Sequence, residues 1–443
     1  MQIAGPNGVP VGPNVGPAGS ELRSGINRAP SHGVVGVTDM SLIARGRWHT
    51  MVFGLISTWL VCGLGSIIAS TFGARIAWWA LVHSFTLGVV TTAILTYSLH
   101  FTEALTRQPT STYRPIMVRI SIVQIGLILL LFDTNSAGWS VLSDIGASAI
   151  TIVVGWHCWV LYRMLKTSLS TKFAATVPFY LTALGFLIAA IVVAIIASHG
   201  IGDYTVMISI HSRLTIWGFA WLTVLGTIVT LLPTLTQTTI PPAVVKRCTG
   251  ALALHSGGLI AGSGFLTIGW NSWAGLSQLS MVISAVLIMQ PLLSSVFAGH
   301  KGLRTASISV MTGIIWLLSL CAADAIAVTI GAETRDITRA LAPAFLGAGL
   351  LQLVTGVLLH LLPTLRGGGN HVVTAAREFA DFGGWARIGL INFGALLTLA
   401  DPPAVHATSA FQAGLILIAL GIAGQVAVLI ITLFRAQQLR KTS

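Results

Sequence analysis

Residues 211–235 read HSRLTIWGFAWLTVLGTIVTLLPTL, an almost wholly apolar stretch. A membrane-spanning helix needs about 20 predominantly apolar residues, so this stretch is long enough to cross a bilayer. Comparable stretches cover most of the chain, and the twelve predicted spans are residues 49–70, 76–100, 116–133, 141–164, 176–198, 206–235, 248–270, 273–298, 306–329, 341–364, 385–400 and 410–434. The sequence therefore predicts an all-α polytopic membrane protein with about twelve transmembrane helices.

The composition supports a surface that faces lipid. Apolar residues make up 54% of the 443 residues and charged residues only 8%, whereas soluble domains carry about 25% charged residues. The net charge of +12 is spread over short loops between apolar runs rather than along one face or stripe, which disfavours nucleic-acid binding. We expect the lipid bilayer to surround the protein.

The ends of the chain differ from its middle. Gly and Pro make up almost half of the stretch 1–20, and a segment of this composition cannot bury enough apolar area to fold. We therefore predict a disordered cytoplasmic tail over residues 1–47, a membrane domain over 48–436 and a short cytoplasmic tail over 437–443.

Loop charges predict the orientation of the chain. Lys and Arg concentrate in alternate loops, as the cytoplasmic loops of membrane proteins do. The positively charged loops contain Arg107, Arg114, Arg119, Arg163, Lys166, Lys246, Arg247, Arg366, Arg377 and Arg387. This pattern predicts a protein of the inner or plasma membrane with both termini in the cytoplasm.

An internal repeat accompanies the spans. Residues 223–235, TVLGTIVTLLPTL, match residues 353–365, LVTGVLLHLLPTL, so that Gly226 aligns with Gly356. The offset between His83-Ser84 and His211-Ser212 is almost the same. Two nearly equal offsets indicate three pseudo-repeated arcs of four helices. The two glycines then allow close helix packing, and the Leu-Pro turns are expected where their helices end.

Histidines within the spans are the candidate ligands, because polar groups in a bilayer are costly. His83 and His211, near the outer ends of spans two and six, can ligate one haem iron or form part of a copper site. The alternative is a pair of interfacial histidines bonded to neighbouring carbonyl groups. A weaker candidate is an inner-side metal cluster of His100, Glu103 and His360, whose alternative is a set of headgroup-level residues.

Other polar residues suit structural roles. His157 and His255 are expected to pack or to form hydrogen bonds. Asp324, near the outer end of span nine, is expected to reach the lipid headgroups, although it is also able to orient a histidine. Trp217 and Trp221, close to His211, either line a cofactor cavity or pack.

Three stretches carry a family resemblance: residues 83–107, 211–235 and 352–369. They resemble actinobacterial membrane proteins related to subunit I of haem–copper oxidases, a group that includes the NnrS-like proteins and the membrane part fused to some copper nitrite reductases. The resemblance implies twelve helices in three arcs, with His83 as a haem ligand and His211 as a copper ligand.

The sequence also departs from the oxidase pattern. Around span seven it has only His255, and His360 lies at the inner end of span ten rather than in its outer half. A complete oxygen reductase is therefore not expected, and enzyme activity stays open.

These features predict a membrane protein that binds haem b, copper or both. The resemblance implies a role in the nitric oxide or nitrite response or in respiratory metal handling, with a redox or copper protein as partner. One alternative is a secondary transporter of a metal ion or small solute, against which stands the lack of a recognisable membrane-embedded charge pair. The other is an assembly factor without a cofactor.

Overall fold

The computed structural model describes residues 35–108, 112–136, 138–168, 173–299, 302–367, 369–400 and 408–442. The chain divides into two compact units, Met1–Ser41 and Leu42–Ser443. Of the first unit only the helical residues 35–41 are described, and the features below belong to the second.

Thirteen helices and no strand occur in the described ranges. Their bounds are α1 Val35–Thr71, α2 Trp78–Thr106, α3 Tyr113–Ser136, α4 Val141–Lys166, α5 Val177–Ser198, α6 Tyr204–Thr236, α7 Pro242–Thr267, α8 Asn271–Gly299, α9 Thr305–Thr329, α10 Thr334–Arg366, α11 Gly369–Ala380, α12 Gly384–Ala400 and α13 Ser409–Thr442. Side chains fix two of the starts, because Ser140 and Asp203 accept hydrogen bonds from the first backbone N–H groups of α4 and α6.

The helices confirm the predicted class, an all-α polytopic membrane protein. Ten of the described helices are long and apolar enough to span a membrane. Two predicted spans do not qualify by themselves. Helix α7 is outside the ten because Gly, Ser and His255 dilute its apolar residues. Helix α12 qualifies only together with α11, as a pair bent by 46°.

The predicted ends of the membrane domain differ from the helix bounds. Most of the predicted tail 1–47 lies outside the described residues, but residues 35–47 belong to α1. These residues contain no proline, so nothing interrupts the helix there. At the other end, α13 continues through the predicted tail 437–443 as far as Thr442.

Helices α2, α6 and α10 share one interruption. Each contains a π-helical segment, and these segments are Ser84–Thr91, Leu214–Trp221 and Phe345–Leu351. Each helix then resumes as an α-helix of 15 residues, and the three starts, Thr92, Leu222 and Gln352, are equally spaced in the sequence. The residues that follow the three helices, Arg107, Gln237 and Gly367, all have positive φ at the same spacing. The repeat inferred from the LLPTL stretches is therefore present in the backbone.

The same three helices surround a cavity of about 70 Å³. Its lining is almost wholly apolar, and lining residues recur at the repeat spacing, as in the triplets Val90, Ala220 and Leu350, and Ala93, Thr223 and Leu353. Because each helix contributes equivalent residues, α2, α6 and α10 lie around a common pseudo-threefold axis.

Close packing at the predicted glycines is confirmed. A Cβ atom on Gly226 would lie 2.6 Å from the Cβ of Phe179, and one on Gly356 would lie 2.7 Å from the Cβ of Ser309. Phe179 and Ser309 are themselves related by the repeat spacing. Because neither glycine has a side chain, α5 can approach α6 closely, and α9 can approach α10 in the same way.

The predicted spans 206–235 and 341–364 end within two residues of α6 and α10, but the Leu-Pro turns lie one turn before the helix ends rather than at them. Pro233 and Pro363 lie inside α6 and α10, which continue to Thr236 and Arg366. A proline near a helix end removes one intrahelical hydrogen bond, and the tight packing of these central helices holds the last turn in place.

Two arginines that were counted as loop charges are buried within helices. Arg119 donates to the carbonyl oxygen of Pro115 and lies 2.8 Å from His157 Nδ1 through its NH1 atom. Arg387 donates to the carbonyl oxygen of Ala380 at 2.8 Å. Neither residue therefore belongs to the loop charge on which the predicted orientation depends.

Candidate functional site

His83 on α2 and His211 on α6, the two histidines selected from the sequence, lie beside each other. Their ring centroids are 6.3 Å apart and their planes are inclined by 22°. Trp79 also stacks on His83, at a centroid distance of 4.1 Å. Both imidazoles are partly buried, so the fold brings two potential ligands from different arcs to one place.

Backbone carbonyl groups fix the orientation of both rings. His83 Nδ1 lies 2.8 Å from the carbonyl oxygen of Trp79, and His211 Nδ1 lies 2.9 Å from that of Ala190. A carbonyl oxygen only accepts, so Nδ1 is the donor and Nε2 carries the lone pair of the neutral ring. Neither Nε2 atom has a hydrogen-bond partner among the described residues.

Histidines that bind a metal are usually held in this way, with the second nitrogen donating to a carbonyl or carboxylate. The same bonds also satisfy the alternative of interfacial histidines bonded to carbonyl groups. What distinguishes the pair is that the two rings lie 6.3 Å apart and that neither Nε2 atom has a hydrogen-bond partner among the described residues.

The ring separation suits a single metal ion. A metal–nitrogen bond of about 2.0–2.1 Å, with the ring centre about 1.1 Å behind the nitrogen, limits two imidazoles on one ion to centroids at most about 6.5 Å apart. The observed 6.3 Å is within that limit. A haem needs a pocket on the scale of other cofactor sites, roughly 300–1,000 Å³. The cavities found beside α6, of about 10 and about 70 Å³, are lined by residues other than His83 and His211. Neither of these two cavities would hold a haem at the pair.

The backbone next to the pair is irregular. The π-helical segment of α2 begins directly after His83, and that of α6 begins three residues after His211. Single π-helical turns within α-helices occur often at functional sites, because the extra residue changes the direction of nearby side chains.

The repeat register assigns the two histidines different positions. The residue of α6 that precedes its π-helical segment, as His83 does in α2, is Arg213. The repeat spacing relates His211 to Leu81, which lies two positions before His83. The pair is therefore formed by a local difference between arcs rather than by their symmetry.

Arg213 belongs to a buried ion pair. Its NH2 atom donates to Asp324 Oδ1 at 2.7 Å, and the two side chains are 3% and 4% exposed. Trp217 Nε1 donates to Asp324 Oδ2 at 2.8 Å, and the amide of Gln278 donates to the same oxygen. Arg213 Nε in turn donates to Gln278 Oε1 at 3.3 Å. These four residues, the Arg213–Asp324 network, join α6, α8 and α9.

The network overturns two sequence predictions. Asp324 does not reach the headgroups, because its carboxylate is buried among three donors. The argument that the chain lacks a membrane-embedded charge pair is also wrong. A cavity of about 10 Å³ adjoins Arg213, Trp217 and Asp324, about the size that one water molecule requires.

His100, Glu103 and His360 do not form the predicted metal cluster. Within the described ranges, no group of three or more His, Cys, Asp or Glu side chains is placed to hold a metal ion. His100 contacts His49, at a ring centroid distance of 5.5 Å. His360 Nε2 lies 3.2 Å from Arg377 NH2. His100 and His360 occupy equivalent positions on α2 and α10 but have different neighbours.

The structural roles expected of His157 and His255 are confirmed. His157 Nε2 lies 3.0 Å from Ser98 Oγ, and its Nδ1 contacts Arg119. His255 Nε2 lies 3.0 Å from the carbonyl oxygen of Trp217.

Sequence reasoning missed Arg213 and Gln278, although a signal was present. Arg213 is a charged residue inside the apolar stretch 211–235, and such a residue is a functional candidate by default. Its partner Asp324 is 111 residues away in the sequence, so no local pattern connects the two.

Comparison with protein-family models gives no match, and no curated protein matches the chain. The resemblance to subunit I of haem–copper oxidases therefore stays a prediction from three stretches of sequence.

Proposed function

We propose that the protein is a membrane protein that binds a transition-metal ion, with copper foremost, between His83 and His211. One observation carries the proposal: both Nδ1 atoms are anchored to carbonyl oxygens while both Nε2 atoms are left open on rings 6.3 Å apart. Imidazole nitrogen is a preferred ligand of copper, and the ring separation suits one ion.

The residues around the pair have separate tasks in this proposal. Trp79 supplies a carbonyl acceptor and a stacking surface to His83, which restricts the rotation of that ring. Ala190 on α5 likewise supplies a carbonyl acceptor to His211. Copper bound between the two histidines would supply a redox-active centre. The role that the resemblance implies, in the nitric oxide or nitrite response or in respiratory copper handling, agrees with such a centre.

Copper binding to the purified full-length protein in detergent tests the proposal. Unaltered protein should retain copper after passage over a desalting column. Each of the single substitutions H83A and H211A should reduce the copper retained at the pair at least tenfold, because one imidazole alone binds copper weakly. Copper that is retained in full by both variants would overturn the proposal.

The matched control is H199A. His199 is an exposed histidine whose Nδ1 also contacts a carbonyl oxygen, that of Ile195, at 2.9 Å. It shares the backbone anchor but has no second imidazole beside it. Copper retention should therefore be unchanged in H199A.

A specific observation also favours a second candidate function, secondary transport. Transporters place charged side chains within the membrane at substrate or proton sites. The Arg213–Asp324 pair is embedded in this way and adjoins a cavity of about 10 Å³. We propose that, if the protein is a transporter, this pair is its coupling site.

Proteoliposomes distinguish the two functions. Under the transport proposal, a proton or metal-ion flux should disappear in D324N and persist in H83A. Under the copper-binding proposal, D324N should retain copper whenever it folds, because Asp324 does not contact the histidine pair. The absence of any flux in unaltered protein would overturn the transport candidate.

A further inference from the structure

A second histidine pair lies between α1 and α2, and nothing in the proposed function uses it. The His49 and His100 rings are 5.5 Å apart and inclined by 77°. Tyr97, one helical turn before His100, stacks on His49 at 5.9 Å. His100 follows His83 near the other end of the same helix, so at about 1.5 Å per residue the two pairs are separated by roughly 25 Å along α2.

Two polar atoms of this second pair lack partners. His49 is 3% exposed and Tyr97 is 7% exposed. Among the described residues, neither His49 Nδ1 nor the Tyr97 hydroxyl has a hydrogen-bond partner. Buried polar atoms are nearly always satisfied, so orphaned atoms of this kind indicate a bound water or ion.

Comparison of the three arcs shows that the scaffold does not require a histidine here. The positions equivalent to His49 are Phe179 and Ser309, which pack against Gly226 and Gly356. In these two arcs the contact between the first and second helices contains no histidine; Phe179 packs against Gly226, and Ser309 packs against Gly356 and accepts hydrogen bonds from Gln352 and Gln425. The first arc instead places a buried imidazole there, beside a second imidazole and a phenol.

The geometry of the rings suits one shared ion. With metal–nitrogen bonds of about 2.0–2.1 Å, two imidazoles at an angle of about 110–120° around an ion have centroids about 5–5.6 Å apart. The observed 5.5 Å is within this interval. The rings are inclined rather than parallel, as imidazoles on a tetrahedral ion usually are.

We infer that His49 and His100 form a second metal site, which takes a borderline-soft divalent ion, with Zn²⁺ as the one tested. The Tyr97 hydroxyl supplies a further oxygen donor in the same cluster. The inference rests on its own residues and does not depend on the His83–His211 site.

Zinc binding to a chain that carries H83Q and H211Q tests this inference. Equilibrium dialysis of the full-length variant in detergent should find one tightly bound Zn²⁺ per chain. Adding H49Q or H100Q should weaken zinc binding at least tenfold. The control is H371Q, which removes an exposed histidine of α11 and should leave zinc binding unchanged.

Zinc K-edge absorption is a second test, and it uses the chain in which His49 and His100 are intact. Its result therefore does not depend on whether a variant of the second site folds. The spectrum should show imidazole scattering with nitrogen at about 2.0 Å. A chain without tightly bound zinc, or zinc binding that survives both H49Q and H100Q, would overturn the inference.

The two metal proposals fail separately. If copper retention depends on His83 and His211 while the doubly substituted chain binds no zinc, only the second site is wrong. If copper retention does not depend on His83 and His211 but zinc binding depends on His49 and His100, only the first site is wrong.

Discussion

The His83–His211 pair and the Arg213–Asp324 network both include a residue of α6, and these two residues, His211 and Arg213, are two positions apart. The pair and the network differ in how completely their polar atoms are hydrogen-bonded. In the network, the Asp324 carboxylate accepts from Arg213, Trp217 and Gln278, and almost no charged surface is exposed. In the histidine pair, each ring makes one anchoring hydrogen bond and keeps one nitrogen open. A saturated network holds helices together, whereas an open pair of fixed nitrogens is suited to receive a ligand.

The largest expected effect comes from breaking the Arg213–Asp324 network. D324N should lower the free energy of unfolding by about 3–5 kcal/mol, because it leaves the Arg213 charge buried without its partner. Chemical denaturation of the detergent-solubilised protein measures the loss. The matched control is D144N, which breaks the partly exposed pair of Asp144 and His199 and should change stability by about 0–1 kcal/mol. Equal effects of D324N and D144N would remove the distinction between the two regions.

Bound copper at the His83–His211 pair should change the stability of the protein more than substitution of one of the histidines does without copper. Copper at 100 times its dissociation constant should raise the stability of the unaltered protein by about 2.7 kcal/mol. Without copper, H211A loses one hydrogen bond to Ala190 and should lose only about 0.5–1.5 kcal/mol. The same denaturation curves, recorded with and without copper, check both values. If copper stabilises H83A and H211A as much as the unaltered chain, the pair is not the site.

The histidine pair depends on the position of α6 against α5, where Gly226 packs against Phe179. G226A places a methyl group 2.6 Å from the Cβ of Phe179, and such overpacking should destabilise the fold by about 1–3 kcal/mol. Because Ala190 on α5 anchors His211, G226A should also weaken copper binding. The control is G257A, where the added methyl meets open space and should raise stability by up to about 1 kcal/mol. Unchanged copper affinity in a destabilised G226A would show that the anchor is not important.

The smallest expected effect tests the repeat at the other end of α6. Gln237 follows the helix with φ of 56°, where the equivalent residue after α10 is Gly367. Q237G should stabilise the protein by about 0.5 kcal/mol, since relief of a left-handed strain of about 1–2 kcal/mol exceeds the entropy that glycine loses. G367A should act in the opposite direction. A thermal shift assay on both variants measures the difference, and the same sign for both would contradict the equivalence.

The sequence predicts most of the scaffold for clear physical reasons. Apolar runs of membrane length can only be helices, and the repeated LLPTL stretches locate equivalent helices at the spacing that the backbone shows. The sequence also identifies His83 and His211, because polar residues are rare within such runs.

The remaining features depend on contacts that local sequence does not encode. Asp324 is buried only because Arg213, distant in the chain, meets it across α6 and α9. Each π-helical segment has glycine at its fifth position, Gly88, Gly218 or Gly349, but glycine is common throughout the apolar runs and therefore does not mark these segments in the sequence. Arg119 appears as a loop charge until the contact with His157 shows it inside the bundle. The sequence predicts a cluster of His100 with His360 because both lie near the same end of their helices, but the histidine that contacts His100 is His49 of α1.

Copper K-edge absorption shows directly whether His83 and His211 bind one copper ion. One equivalent of Cu⁺ is added without oxygen to full-length protein that carries H49Q, so that only the first pair of histidines is intact. We expect two imidazole nitrogens at about 2.0 Å from copper, and loss of that signal when His83 and His211 are both changed to alanine. A spectrum dominated by sulfur ligands, or one that the double substitution leaves unchanged, would contradict it.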